Sequence, residues 1–174
     1  VLAVLNSAND EAPSVATFSG AVTVDTISIG VTGATGGSAK FSSTVAGAST
    51  IHGGDAASED SLMEITGDFT GAIVLSQTLL GDAGLKTSGS TALSISGAIT
   101  ATSDEDGVIT VANTAGTTFA AIGTEANKAL SVTVASGADA LFGGAVEATT
   151  LTINGDVIIQ ASDNGSRKIV MGAS

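Results

Sequence analysis

Phe18-Ser19-Gly20-Ala21-Val22 returns along the chain with few changes, as Phe41-Ser42-Ser43-Thr44-Val45, Phe69-Thr70-Gly71-Ala72-Ile73 and Phe142-Gly143-Gly144-Ala145-Val146. Looser copies stand at Ile95-Ser96-Gly97-Ala98-Ile99 and Phe119-Ala120-Ala121-Ile122, so successive starts lie 23, 28, 26, 24 and 23 residues apart. A period of this size is one supersecondary unit that cannot bury its own apolar face and must stack on its neighbours. The reading is an all-β chain, a β-solenoid (β-helix-like) of about six 23–28-residue repeats, with a β-sandwich built of hairpins as the alternative. In it Phe18, Phe41, Phe69, Phe119 and Phe142 point inward and fill equivalent places. An aromatic ladder for a ligand is the competing reading, but one Phe per unit, without Trp or Tyr, stacks poorly on a sugar and donates no hydrogen bond.

Composition supports thin layers. Hydrophobic residues make up 43% and aromatics 3%, so Val, Ile, Leu, Ala and Thr must build the interior. A net charge of -12 repels nucleic acid and anionic membranes. The absence of cysteine removes disulfides, thiolate metal sites and thiol catalysis. No apolar run reaches the length of a membrane span. The sequence begins at Val1 rather than Met, from which a removed export signal and an extracellular or cell-surface location are expected.

Residues 1–15 read as an apolar arm or capping strand, Val1-Leu2-Ala3-Val4-Leu5, followed by a polar linker; residues 16–174 form a single repetitive β domain. In the first unit the alternation changes phase near Asp25, and again near Thr149 in the last, which marks a bulge or corner. A glycine follows each of the first four starts by twelve residues: Gly30, Gly53, Gly81 and Gly107. Residues 55–61, 82–90 and 112–118 carry the length variation and are expected as loops. Residues 123–130 hold the one segment with helical character. Asp104-Glu105-Asp106-Gly107 and Asp163-Asn164-Gly165, each between β-prone runs, are hairpin signals.

The chemistry of a reaction is hard to assemble. His52, the single histidine, aligns with Ser28, Leu80 and Thr152 as a solvent-facing strand position, with no orienting acid and nucleophile in the sequence around it. No enzyme is expected. Calcium is the one cofactor to carry, with Asp104, Asp106, Asn154 and Asp156 as candidate ligands, although neither acidic run completes a known calcium loop.

The pattern Phe-x-Gly-Ala-Val-x-x-x-Thr-Leu-x-Ile-x-Gly, as around Phe18 and Phe142, resembles the degenerate β-repeats of bacterial surface and extracellular fibre proteins and of phage tail fibres. The resemblance spans residues 16 to 160 and implies an exported, repetitive shaft or filament subunit, with no catalytic residue carried over. The expected function is a structural subunit of an extracellular filament, sheath or surface layer. Its expected partner is itself, head to tail, through Val1, Leu2, Val4 and Leu5 at one end and Ile169, Val170 and Met171 at the other. The alternative is an adhesin or tail-fibre segment that grips surface glycans with its variable loops.

Overall fold

The β-prone runs form strands that pair only in parallel, each with strands about one repeat before and after it. The computed structural model describes residues 1–5, 15–31, 36–54, 60–77 and 81–160 and the backbone of 169–171, and among them there is no helix. Three ladders of strands run along the stack. The first holds β2 (Val15–Phe18), β4 (Ser38–Phe41), β6 (Ser61–Ile65), β9 (Ala83–Gly89), β12 (Asp106–Asn113), β14 (Ala129–Val134) and β16 (Val146–Ile153), with β18 (Ile169–Met171) on the first half of β16. The second joins the starts of β3 (Val22–Ile29) and β5 (Val45–His52) to β7 (Phe69–Thr70), β10 (Leu93–Ile95), β13 (Thr117–Phe119), β15 (Asp139–Phe142) and β17 (Asp156–Ile159). The third runs from β1 (Leu2–Val4) through the ends of β3 and β5 to β8 (Ile73–Ser76) and β11 (Ile99–Ala101), then through bridges at Ile122 to Val146. One pass through the three ladders is one coil of a parallel β-solenoid of about six turns. The all-parallel pairing excludes the sandwich of hairpins.

Register then defines columns of equivalent residues. In the first ladder Phe18, Phe41, Ile65, Thr87, Val111, Val134 and Ile153 stand in one column. In the second, the column is Val22, Val45, Phe69, Ile95, Phe119, Phe142 and Ile159. Phe41, Phe69, Phe119 and Phe142 are fully buried, as expected, and Phe18 is half-buried. Their equivalence is corrected, because Phe41 lies over Ile65 while Phe69 lies over Val45. Ring contacts follow the columns: Phe18 stacks on Phe41 at 4.9 Å and Phe119 on Phe142 at 5.5 Å, and Phe69 sits between aliphatic rungs.

The cause is a four-residue slip in where the motif is used. An apolar residue, two or three small or polar residues and a second apolar residue make a corner, and such corners occur at two places in the coil, between the first and second ladders in the early coils and between the second and third ladders further on. The copies at Phe18 and Phe41 turn from the first ladder into the second, whereas those at Phe69, Ile95, Phe119 and Phe142 turn from the second into the third. The 28-residue step between Phe41 and Phe69 is one coil plus this slip.

In the first kind of corner glycine is demanded in some coils only, as at Gly67 against the Ser43 backbone, but in the second kind it is demanded in most coils. There Gly47, Gly71, Gly97 and Gly144 each lie against a backbone carbonyl of the preceding coil, and a Cβ at any of them would come closer than 3 Å to it. At Gly20, in the first kind of corner, a Cβ would meet nothing within 4 Å. The same letter in the repeat therefore has two physical meanings.

Other local expectations fare unevenly. The phase change near Asp25 is a register shift between Thr23 and Thr26, and the one near Thr149 recurs in the neighbouring β14, where Ala129 and then Val132 and Val134 are buried. The hairpin at residues 104–107 is corrected: Asp106 and Gly107 open β12, which pairs in parallel with β9 and β14. Gly107 has φ 82° and a Cβ there would press on the Leu75 side chain, so its glycine serves close packing rather than a hairpin turn. The second hairpin signal, at 163–165, lies outside the described residues, as do residues 55–59. Residues 82–90, expected as a loop, are mostly β9, and 112–118 end β12 and begin β13. Residues 123–130 hold bends and the start of β14 rather than helix. Gly30 and Gly53 close the third ladder while Gly81 and Gly107 precede or open strands of the first, so the four marked glycines are not equivalent either.

Candidate functional site: the two open ends of the stack

A solenoid repeats its pairing until it stops, and where the described residues stop pairing their strands have one unpaired edge. At the amino-terminal end these edges belong to β1 in the third ladder, β2 in the first and the start of β3 in the second. At the other end they belong to β17 in the second ladder, the Thr150 to Ile153 half of β16 in the first, and β18. The inward columns run to both edges. Val134 and Phe142 are 0% and 1% exposed, yet their successors Ile153 and Ile159 are 48% and 42% exposed. Phe18 and Val22 at the opposite end are half-buried, beside fully exposed Val1 and exposed Leu5 and Val15.

The residues assigned to assembly from sequence fall at these ends, with one refinement. The strand from Leu2 to Val4 already pairs with Ile27 to Ile29 of its own chain, and Val4 is buried there. Among the described residues its outer edge is the unpaired one. Ile169, Val170 and Met171 pair with Val146, Glu147 and Ala148, one period back, as the start of a further turn. Ile153, Ile158 and Ile159 were missed, because in the sequence they read as ordinary inward and outward positions of the last repeat. No local signal marked them: Val157-Ile158-Ile159 stands seventeen residues after the Phe142 rung it pairs with, the shortest step of its ladder, but spacing alone does not expose a strand.

The acidic turns hold coils together. Asp60 accepts a hydrogen bond from the backbone N–H of Asp82 (2.8 Å), Asp68 from that of Ser94 (2.8 Å) and Asp104 from that of Lys128 (3.1 Å), in each case one coil further on. This N–H, and then the nearby Lys128 ammonium at 3.5 Å, hold the Asp104 carboxyl below its ordinary pKa. Asp106 is buried and accepts from Ser103 N–H at 2.9 Å. Asn154 and Asp156 lie at the carboxy-terminal end, with Asp156 paired to Asp139 in the second ladder, whereas Asp106 pairs with Ala129 in the first. The four calcium candidates are thus in two places, and among the described residues no three His, Cys, Asp or Glu side chains cluster as metal ligands.

His52 ends β5 beside Ser76, half-buried, and its backbone carbonyl accepts from the Ser61 hydroxyl. Burial lowers its pKa. Its sequence alignment with Ser28 is corrected, since Ser28 pairs with Thr50. The fully buried rings of Phe41, Phe69, Phe119 and Phe142 also remove the aromatic binding ladder as a surface feature.

On the outer side of the first ladder Lys40, Glu64 and Lys86 occupy successive rungs, with Lys40 to Glu64 at 3.1 Å. Burial would raise the Glu64 pKa, but hydrogen bonds from Ser88 and Lys40 and the charges of Lys86 and Lys40 outweigh it and leave it below 4.5. A carboxyl lowered in the folded state contributes stability that is complete above its unfolded value of 4.5 and is lost as pH falls through the folded value. Glu64→Gln is therefore expected to cost no more than about 1 kcal/mol near neutral pH, because Lys40 is partly solvated. In denaturant titrations the gap to the parent should close under acid; a gap independent of pH would remove the charge from the account.

No helix of the described residues is long and apolar enough to cross a membrane. No protein-family model, curated protein or solved structure matches the chain.

Proposed function

We propose that the chain is the structural subunit of an extracellular filament, sheath or surface layer, self-assembling end to end through its terminal strands. The observation that carries this reading is the pair of open ends, where inward columns that are sealed in the middle of the stack emerge at Phe18 and Val22 on one side and Ile153 and Ile159 on the other. Natural proteins cap or distort exposed strand edges unless they use them. A contact between unlike ends does not close on itself, so it propagates as a fibre. The strongly acidic composition discourages lateral clumping of such fibres.

Deleting residues 1–6 removes β1 and shortens the amino-terminal face by one strand. Electron microscopy of the parent should show polymers, and of the truncated protein folded monomers or short oligomers. Polymers of normal length after truncation would contradict a role for β1 in joining subunits. Discrete particles of the parent that bind glycans would favour the adhesin reading instead.

A further inference from the structure

We infer that the joint between subunits, on the end-to-end reading above, is a continuation of the ladders in register: Ile153 of one subunit opposite Phe18 of the next, and Ile159 opposite Val22. The partner is a second copy of this chain because the two ends are the two halves of the same ladders. The first-ladder column ends at Ile153 and begins at Phe18, and the second-ladder column ends at Ile159 and begins at Val22.

Three observations select this register. Strands throughout the solenoid run parallel, and a copy stacked in the same direction presents β2 to β16 and the start of β3 to β17 in that same sense. Side chains alternate with period two, so a slip by one residue would turn Ile153 and Ile159 outward and carry Phe18 and Val22 away from them. The register also sets Thr152 opposite Thr17 and Asp156 opposite Ser19, so neither ladder brings two carboxylates together in a chain of charge -12.

The corner lengths do not forbid it. Ile153 and Ile159 are separated by six residues and Phe18 and Val22 by four, but within the molecule the four-residue corner from Ile65 to Phe69 already stacks on the eight-residue corner from Thr87 to Ile95 with both ladders intact. The third ladder holds eight rungs, from β1 to β18, against seven in each of the other two, so this stacking sets β1 of the next copy on the Val146 to Ala148 edge that β18 occupies, and β18 gives way to it at the joint.

The natural absence of cysteine makes the test clean. Adjacent strands lie about 4.8 Å apart, within the Cα separation a disulfide spans, whereas the two ends of one subunit are several rungs apart and cannot join to each other. The double variant Phe18→Cys with Ile153→Cys is expected, on oxidation, to give a ladder of covalent multimers on a non-reducing gel that collapses with reductant. A mixture of the two single variants should stop at dimers. Val22→Cys with Ile159→Cys provides a second, independent pair should the loss of Phe18 disturb β2. Moving the cysteine from Ile153 to Thr152 should abolish cross-linking to position 18. Polymers in the microscope with no disulfide from either pair would overturn the register while leaving end-to-end assembly standing. Protein that stays monomeric and uncross-linked would overturn both and leave the ends to a different partner.

Discussion

Replacing Phe69 by alanine is expected to cost about 3 to 5 kcal/mol, the range for removing a large side chain from a site that cannot collapse. Phe69 is fully buried, and the rungs on either side of it in its column are Val45 and Ile95, neither of which is long enough to fill the space its ring leaves. The backbone there cannot close in, because the spacing of coils is fixed by ladder hydrogen bonds such as Val45 N–H to Asp68 O and Ser96 N–H to Phe69 O. Phe69 is also near the middle of the stack. In an array whose units contact only their neighbours, a lesion there weakens the coupling between the two halves. Chemical denaturation should show a lower midpoint and a broadened or split transition. Phe18→Ala at the open end, where the ring is half-buried, should cost clearly less. An unchanged melting temperature for Phe69→Ala would refute the packing described.

Gly97→Ala and Gly20→Ala should behave oppositely, although both glycines hold the third place of the same repeat. The methyl at position 97 would be driven into the carbonyl of Gly71, a rigid backbone group of the adjacent coil, so the corner must open and strain its ladders by about 1 to 3 kcal/mol or more. At position 20 the methyl points into open space, the backbone has no positive φ, and restriction of the unfolded chain should leave stability unchanged or raised by a few tenths of a kcal/mol. Equal effects of the two substitutions would mean that the glycine column at the corner between the second and third ladders is not a close-packed one. Gly71, with φ 130° and a carbonyl of Gly47 in the way, should be at least as intolerant as Gly97.

The solenoid itself was legible because repetition and alternation are both properties of the chain. The recurrence of Phe18, Phe41, Phe69 and Phe142 with β-branched residues at fixed distances has few other physical explanations. What the repeat concealed was its frame. Any corner between two parallel ladders needs an apolar residue, a few small ones and another apolar residue, so corners of the first and second kind look alike in letters. Only pairing tells that Phe69 belongs with Val45 and Phe119 rather than with Phe41. The signal at Asp104 to Gly107 misled for a related reason: Asp-Gly is favoured in a tight hairpin, but a glycine with positive φ also suits a strand entrance packed against Leu75. The assembly surface was half visible. Val1 to Leu5 stood out as an apolar strand without a repeat, whereas exposure of Ile153 and Ile159 follows from the stack ending there, a fact of tertiary structure that no local pattern carries.

The central claim, that subunits join as one continuous solenoid, is tested most directly by cryo-electron microscopy of the assembled material with its axial repeat measured. The second ladder has seven rungs from Val22 to Ile159, and at about 4.8 Å per rung one subunit advances the stack by about 30 to 35 Å. A fibre with that subunit translation and an unbroken 4.8 Å rung spacing across the joint is the result this account predicts. Lateral association, or a joint at which the rung spacing is interrupted, would contradict it.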